Sequence, residues 1–161
     1  IVGSQAQLAW ESRARYVLEA NGLTDATIAH QPLEARGRPG HEKHPTFEYV
    51  VQPRAVHFAF SPTVVPIVRG RIPLLKARFS DVVALLLTWD EALYKTLRAR
   101  GAELPDYLAQ LDAEIAGLSR LPAQARRRRL AMHDAFYFSH NRDPLRRARF
   151  VRALSDGANA P

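Results

Sequence analysis

Arginine side chains are concentrated in one stretch near the carboxyl end of the chain. The stretch from Arg126 to Arg152 contains nine arginines and two acidic residues, Asp134 and Asp143, which gives it a local charge of +7. The rest of the chain has 14 basic and 14 acidic residues, so the net charge of +7 belongs to this stretch. A planar guanidinium group donates two parallel hydrogen bonds to a phosphate. The stretch therefore predicts a polyanionic partner, with nucleic acid, and DNA in particular, as the favoured one.

The spacing of the arginines indicates which of them share a face. Consecutive helical residues point about 100° apart, so the run from Arg126 to Arg129 cannot form one binding face. Arg146, Arg149 and Arg152 step by three residues and stay within an arc of about 120°. Because the two local acids cannot neutralise nine charges, we expect arginines of both blocks to remain available for phosphates. The predicted nucleic-acid-binding residues are Arg126, Arg127, Arg129, Arg142, Arg146, Arg149 and Arg152.

Three consecutive aromatic residues, Phe136, Tyr137 and Phe138, lie between the two arginine blocks. Aromatic rings among arginines can stack on unpaired bases, as they do in proteins that bind single strands. The alternative is that the rings pack in the core, because Met132 and Phe136 are four residues apart and share a helix face. The core interpretation is the favoured one.

Histidines offer a catalytic alternative. His133 and His140 are seven residues apart, which places them on one side of a predicted helix, and Asp134 or Asp143 could orient one of them. Such a pair suits general acid and base chemistry in a small nuclease or toxin domain. A structural histidine at a helix end is the favoured interpretation, so the sequence leans away from an enzyme.

A second histidine pair, His41 and His44, flanks Glu42 in a segment rich in proline and glycine. Imidazole and carboxylate groups are metal ligands, but a site needs a third or fourth ligand that this segment does not provide. We therefore predict no metal and no cofactor. The chain also lacks the glycine-rich phosphate loops and serine elbows of common enzyme families.

Composition limits the class of protein. The chain has 161 residues, of which 47% are hydrophobic, and this suits one globular domain with its own core. Because there is no cysteine, disulfides, iron–sulfur clusters and cysteine-rich zinc sites are excluded, and we expect a reducing, cytoplasmic location. The longest apolar run, Val82 to Leu87, is far shorter than the roughly 20 residues of a membrane span, so no membrane partner is expected.

Hydrophobic periodicity and turn residues predict an α+β, mostly helical single domain over residues 1–161. In residues 1–73 we predict an N-terminal helix and a small antiparallel β element. The segments are a helix at Ser4–Asn21, a β-permissive segment at Ala26–His30, a loop at Gln31–Pro45, strands at Thr46–Gln52 and Ala55–Phe60, and an edge strand or extended connector at Thr63–Val68.

In residues 74–156 we predict a four-helix C-terminal bundle, followed by a tail at 157–161. The predicted helices are Val82–Arg100 after a Ser80-Asp81 cap, Pro105–Leu118, Ala123–Ser139 with Pro122 in the first turn, and Asp143–Leu154. The last helix should turn Phe150, Val151 and Leu154 inward.

One segment of the first part has a recognisable pattern. Its residues are Ala9-Trp10, Leu18-Glu19, Gly22, Ala26, Ile28, His30 and Leu33-Glu34-Ala35-Arg36-Gly37. The stretch from Ala9 to Gly37 resembles the segment after the nicking domain of MobA/MobL-type plasmid mobilisation relaxases, where a similar helix precedes an Ala-Arg-Ile-Asp-His-Arg strand and a Leu-Glu-Ala-Gln-Gly turn. That family continues with a proline and His-Leu-Gly-Pro, whereas this chain has Glu42-Lys43-His44-Pro45.

The resemblance implies a role in DNA processing or conjugative transfer. The tyrosine and the histidine cluster of the family precede the similar segment, so no catalytic residue is carried over to this chain. Because the chain begins with Ile1 and not with Met, we expect further residues before it in the full protein. The favoured function is a basic nucleic-acid-binding module, which could be part of a mobilisation protein, and the alternatives are the histidine nuclease and an interaction domain for an acidic protein.

Overall fold

The computed structural model describes residues 25–33, 36, 42–51, 56–60 and 64–156. Its helices are α1 (Ala26–Ala29), α2 (Phe47–Val51), α3 (Val65–Val68), α4 (Glu91–Ala99), α5 (Tyr107–Gly117), α6 (Ala123–His133) and α7 (Pro144–Asp156). Its strands are β1 (Phe58–Ala59), β2 (Lys76–Phe79) and β3 (Val82–Leu86). The predicted α+β, mostly helical fold is confirmed. The predicted helix at Ser4–Asn21 lies outside the described residues.

The three strands form one antiparallel sheet in the order β1-β3-β2. Phe58 of β1 pairs with Leu86, and Lys76 of β2 pairs with Leu85. Strands β2 and β3 are joined by a tight turn in which Ser80 has a φ of 52°, within the left-handed region. The sheet therefore joins a strand before residue 73 to two strands after it, across the predicted division of the chain.

The helix predicted at Val82–Arg100 is wrong in its first half. Residues 82–86 form β3, because β1 and β2 supply hydrogen-bonding partners on both edges and a short apolar run fits a buried strand as well as a helix. The helix begins after Asp90, whose carboxylate accepts a hydrogen bond of 2.9 Å from the Leu93 amide. The predicted cap at Ser80-Asp81 is therefore part of the hairpin turn, and Asp90 is the N-cap.

Two segments predicted to be extended are short helices, each preceded by a capping side chain. Asp25 accepts a hydrogen bond of 3.1 Å from the Ile28 amide at the start of α1, in the segment predicted to be β-permissive. The Thr46 hydroxyl accepts one of 3.2 Å from the Tyr49 amide at the start of α2, where a strand was predicted. A cap satisfies amides that a helix start would otherwise leave unpaired, and this local effect outweighs β propensity.

The other predictions for residues 1–73 have mixed outcomes. The connector predicted at Thr63–Val68 contains α3, where Pro66 occupies the first helical turn and loses no hydrogen bond there. The strand predicted at Ala55–Phe60 is confirmed for Phe58–Ala59. Those residues of the predicted loop at Gln31–Pro45 that the structure describes contain no helix or strand.

The helices of the second half are close to their predicted positions. Helices α5 and α7 confirm the predictions at Pro105–Leu118 and Asp143–Leu154. The segment predicted at Ala123–Ser139 contains α6 and then a π-helical segment, Asp134–Phe138, while Pro122 is the N-cap instead of a first-turn residue. Helix α7 packs against both α5 and α6. Phe150 is fully buried as expected, but Val151 is 46% exposed.

One hydrophobic core extends from the sheet to the C-terminal helices. Helix α5 contributes a buried stripe at spacings of four, four and three residues: Tyr107, Leu111, Ile115 and the adjoining Leu118. In the π-helical segment each turn has an additional residue, and Phe136 and Tyr137 both reach the core. Among the described helices, none has the length and hydropathy needed to cross a membrane.

Candidate nucleic-acid interface

Eight of the nine C-terminal arginines lie on two helices that pack side by side. Arg126 to Arg129 belong to the middle of α6, four belong to α7, and Arg142 lies in the turn before α7. The guanidinium groups differ in burial: Arg126 is 2% exposed, Arg146 is half-buried, and the other seven are exposed. Which of them can bind a phosphate depends on what each already contacts.

Arg146 is held by two carboxylates. Its Nη2 donates to Asp112 Oδ2 at 3.0 Å, and its Nη1 donates to Asp143 Oδ2 at 2.7 Å. Arg149 Nη1 also donates to Asp112, at 2.9 Å from Oδ1. These hydrogen bonds, first of all those from Arg146, lower the pKa of Asp112, and the same two carboxylates raise the pKa of Arg146. Both guanidinium groups are therefore engaged within the fold.

Glu114 lies beside basic side chains of α6 on the other side of α5. Its Oε1 lies 3.5 Å from Arg129 Nε and 3.3 Å from His133 Nε2, although the second contact does not have the geometry of a hydrogen bond. Burial alone would raise the pKa of Glu114, but the nearby His133 and Arg129 outweigh burial and lower it. Helix α5 therefore supplies one acid to α6 and another to α7.

The amphipathic pattern of α5 explains this double role. Leu111 and Ile115 point into the core, and Asp112 and Glu114 flank this stripe on opposite sides because helical residues rotate by about 100° each. We call this contact of α5 with α6 and α7 the seam, formed by Asp112, Glu114, Arg129, Arg146 and Arg149. The expectation that acids are too scarce to pair the arginines was wrong, because it considered only acids near them in sequence.

Two further arginines are engaged outside the seam. Arg126 is buried and donates from Nη1 to the Ala153 carbonyl at 3.3 Å, which ties the start of α6 to the end of α7. Its prediction as a phosphate contact is therefore wrong. Arg147 Nη2 lies 3.2 Å from Asp134 Oδ1, but the Arg147 side chain is 57% exposed.

Four arginines, here called the outer arginines, are exposed and form no ion pair with any residue that the structure describes. They are Arg127, Arg128, Arg142 and Arg152. Because the Arg126–Ala153 hydrogen bond joins the start of α6 to the end of α7, Arg127, Arg128 and Arg152 share one end of this helix pair, and Arg142 lies at the other. Three of them belong to the predicted set, and Arg128 is an addition to it.

An open cleft of about 320 Å³ lies at the turn that leads into α7. We call it the turn cleft, and it is lined by Phe138, Asn141, Arg142, Asp143, Pro144 and Arg147. Phe136 and Tyr137 are buried in the core, as the favoured interpretation of the aromatic residues required, but Phe138 is only half-buried and reaches the cleft. Two arginines and one aromatic residue thus line one concave surface.

The two histidines predicted to act as a pair have different environments. His133 is 2% exposed, and a hydrogen bond of 2.9 Å joins its Nδ1 to the Tyr107 hydroxyl. His140 is exposed, in the turn after the π-helical segment. Partial burial of the ring lowers the pKa of His140 and outweighs a backbone hydrogen bond with Ala135 that raises it. The charges of His57 and Asp90, whose Nε2 and Oδ2 atoms lie 3.6 Å apart, have smaller effects on the same pKa. The structure therefore places His140 near His57 and leaves His133 in the core.

The second histidine pair is described only in part. His44 is exposed, and His41 lies outside the described residues. Among the residues with described positions, no three histidine, aspartate or glutamate side chains are grouped so as to hold a metal ion. The predicted absence of a metal site and a cofactor stays a prediction.

No protein-family model matches this chain, and no curated protein or solved structure is significantly similar to it. The resemblance to mobilisation relaxases also stays a prediction, since most of residues 9–37 lie outside the described ranges. The site residues that the sequence interpretation missed are Asp112, Glu114, Arg128 and Arg147. A signal for the first two was present, because both flank the apolar stripe of a helix joined to the arginine helices by short connections.

Proposed function

We propose that this protein is a nucleic-acid-binding module that contacts phosphates through the outer arginines of α6, of α7 and of the turn before α7. The observation that supports the proposal is the exposure of these four guanidinium groups without acidic partners in the described part of the chain. Arginine in that state presents a fork of donors that matches phosphate oxygens. In the proposed role the module belongs to a cytoplasmic DNA-processing or mobilisation protein.

The dimensions of α7 suit a polyphosphate chain. Arg152 lies eight residues after Pro144, the first residue of α7, which corresponds to about 12 Å along the helix axis at about 1.5 Å per residue, and Arg142 lies in the turn just before Pro144. Phosphates of one strand in a duplex are spaced by about 3.4 Å along its axis, so this length covers about four of them. Contacts of this kind position a protein on the backbone and carry little sequence information. We therefore expect weak sequence preference.

The test is a binding comparison between two variants of equal net charge. The first replaces the four outer arginines, Arg127, Arg128, Arg142 and Arg152, by glutamine. The control replaces four exposed cations of the sheet and α4 region, Arg69, Lys76, Lys95 and Arg100, by glutamine. Binding of labelled duplex and single-stranded DNA and RNA is followed by fluorescence anisotropy at a low and a high salt concentration.

We expect the first variant to lose tenfold or more in affinity. An arginine that contacts a phosphate releases the counterions bound there, and this release favours binding. Without the arginine the counterions stay on the nucleic acid. The control should bind almost as tightly as the wild type. Equal losses in the two variants would show that net charge alone is responsible and would contradict the proposal. Absence of binding to every nucleic acid, together with binding to a polyglutamate chain, would instead favour an acidic protein as the partner.

A second candidate function, cleavage of RNA by acid and base catalysis, is favoured by the placement of His140 near His57 and Asp90. The lowered pKa of His140 favours its neutral form, which can take a proton from a ribose 2′-hydroxyl. His57 beside Asp90 could then donate a proton to the departing 5′-oxygen. Incubation of labelled RNA with and without divalent cations tests this candidate. RNA that stays intact with the wild type, or is cut equally by His140→Ala, would exclude it.

A further inference from the structure

The turn cleft brings an aromatic residue and two arginines to one concave surface, and the outer arginines at the other end of the helix pair do not share this combination. Its volume of about 320 Å³ is at the lower end of the range of small-ligand pockets, about 300 to 1,000 Å³. It is lined by Phe138 at the end of the π-helical segment and by Arg142 and Arg147 around the start of α7. A cavity of this size admits one flat ring and its attached phosphate.

The charges at the cleft favour an anion. Arg142 forms no ion pair with any described residue, and Arg147 has one contact, to Asp134, with 57% of its side chain exposed. The carboxylate of Asp143 also lines the cleft, but it already accepts hydrogen bonds from the Arg146 guanidinium at 2.7 Å and the Tyr137 hydroxyl at 2.9 Å. The nearby acids are therefore occupied, while donors of Arg142 and Arg147 remain available to a phosphate.

Phe138 is the aromatic residue that can meet a ligand here. The neighbouring rings of Phe136 and Tyr137 are at most 1% exposed. Phe138 packs edge-on against Tyr137, with ring centres 5.1 Å apart, and against Phe150, at 6.5 Å. These contacts hold the ring in one orientation, so that stacking on it requires little further ordering.

From this geometry we infer that the turn cleft binds one unpaired nucleotide, whose base stacks on Phe138 and whose phosphate is held by Arg142 and Arg147. The inference rests on the proposed nucleic-acid binding and makes it more specific, because it requires single strands. In a duplex the bases are stacked on each other and cannot reach the ring. An aromatic platform beside arginines is the combination by which proteins bind single strands with little sequence preference.

The first experiment uses the wild-type protein and changes the ligand. Fluorescence anisotropy measures its affinity for an oligothymidylate, an oligouridylate, a duplex, and an abasic oligodeoxynucleotide that has the same number of phosphates as the oligothymidylate. We expect the oligothymidylate to bind about tenfold more tightly than the abasic strand, as one stacked base would provide. Equal affinity for these two strands would overturn the inference. The oligouridylate shows whether DNA or RNA is preferred.

The second experiment changes the ring. Phe138→Leu should lose about tenfold in affinity for the oligothymidylate and little for the abasic strand, and Phe138→Tyr should restore wild-type binding. The control is Phe60→Leu, which removes an aromatic ring that is 40% exposed and does not line the cleft. Equal losses for Phe138→Leu and Phe60→Leu, or equal losses on both strands, would contradict base stacking.

The third experiment does not depend on a partly buried position. Arg142→Gln removes an exposed charge from the cleft, and Arg100→Gln removes an exposed charge from the end of α4. We expect a severalfold loss of oligothymidylate affinity for Arg142→Gln alone, and equal affinities would contradict the inference. One outcome separates the two proposals. The proposed function stands and the inference fails if the variant without the outer arginines loses binding, Phe138→Leu binds as tightly as the wild type, and the abasic strand binds as tightly as the oligothymidylate. If no nucleic acid binds, both fail.

Discussion

The seam and the turn cleft are both rich in arginine, but the arginines of the seam are paired with carboxylates and those of the cleft have donors available to a ligand. In the seam, Arg146 and Arg149 share the carboxylate of Asp112, which comes from a helix more than 30 residues earlier in the chain. At the cleft, Arg142 has no acidic partner among the described residues, and Arg147 has one while remaining 57% exposed. The local charge of a sequence therefore does not measure the charge available to a ligand. That charge depends on which arginines pair with carboxylates from distant parts of the chain.

The largest effect on stability is expected at Arg126, which is buried between α6 and α7. Arg126→Ala should lower the free energy of unfolding by about 3 kcal/mol, since it leaves a cavity and removes the hydrogen bond to the Ala153 carbonyl. Arg126→Met should lower it by less, because it fills the space and removes a cation that has no carboxylate partner in the described structure. Urea unfolding measures both. An alanine variant as stable as the wild type would show that Arg126 is not a core residue.

A smaller loss is expected in the seam. Arg146→Met should lower the free energy of unfolding by about 2 kcal/mol, because Asp112 and Asp143 lose their shared donor in a half-buried site. Arg149→Met should cost about 0.5 kcal/mol, since Arg149 is exposed and Arg146 still holds Asp112. Urea unfolding of the two variants gives the difference. A larger loss for Arg149→Met than for Arg146→Met would contradict the description of the seam.

The seam also predicts an acid sensitivity. Because the pKa of Asp112 is lowered in the folded protein from an ordinary value of 3.8, its contribution to stability is complete above about pH 5 and is lost as the pH falls through the lowered pKa. Asp112→Asn should therefore lose less stability than the wild type between about pH 5 and pH 2. Thermal melting across this range is the measurement. Parallel curves for the two proteins would show that the carboxylate is not engaged.

The smallest effect on stability is expected for the outer arginines. Arg128→Ala should change the free energy of unfolding by less than about 0.5 kcal/mol, because Arg128 is exposed and contacts no described carboxylate. The same substitution at Arg126, two residues earlier, serves as the comparison. A loss of more than about 1 kcal/mol at Arg128 would show that it has a structural partner.

Much of the C-terminal half could be predicted from local features. Helices α5 and α7 each have an apolar stripe and a capping residue directly before them, which is Asp106 for α5 and Asp143 for α7. Both helices were predicted. The strand β3 was not predicted, because the apolar run Val82–Leu87 has no periodicity that separates a strand from a helix. Its hydrogen-bonding partners in β1 and β2 make it a strand. Local pattern is sufficient where a helix caps itself and insufficient where another segment supplies the hydrogen bonds.

The candidate site was predictable in its location but not in its composition. The arginine stretch indicated the region from α6 to α7, and the turn cleft lies where the π-helical segment is followed by the turn into α7. The roles of individual arginines could not be read from their spacing, because Arg146, Arg149 and Arg152 lie on a helical arc whose first two members face Asp112. Such contacts join residues 34 and 37 positions apart, and sequence periodicity does not report contacts at that separation.

The salt dependence of nucleic-acid binding tests the central claim most directly. The slope of the logarithm of the association constant against the logarithm of salt concentration is measured for the wild type, for the variant without the outer arginines, and for Arg149→Gln. We expect the slope to become shallower by about 0.7 to 0.9 for each outer arginine that contacts a phosphate, and to stay unchanged in Arg149→Gln. A slope that is unchanged without the outer arginines, but shallower in Arg149→Gln, would contradict the division between seam and outer arginines.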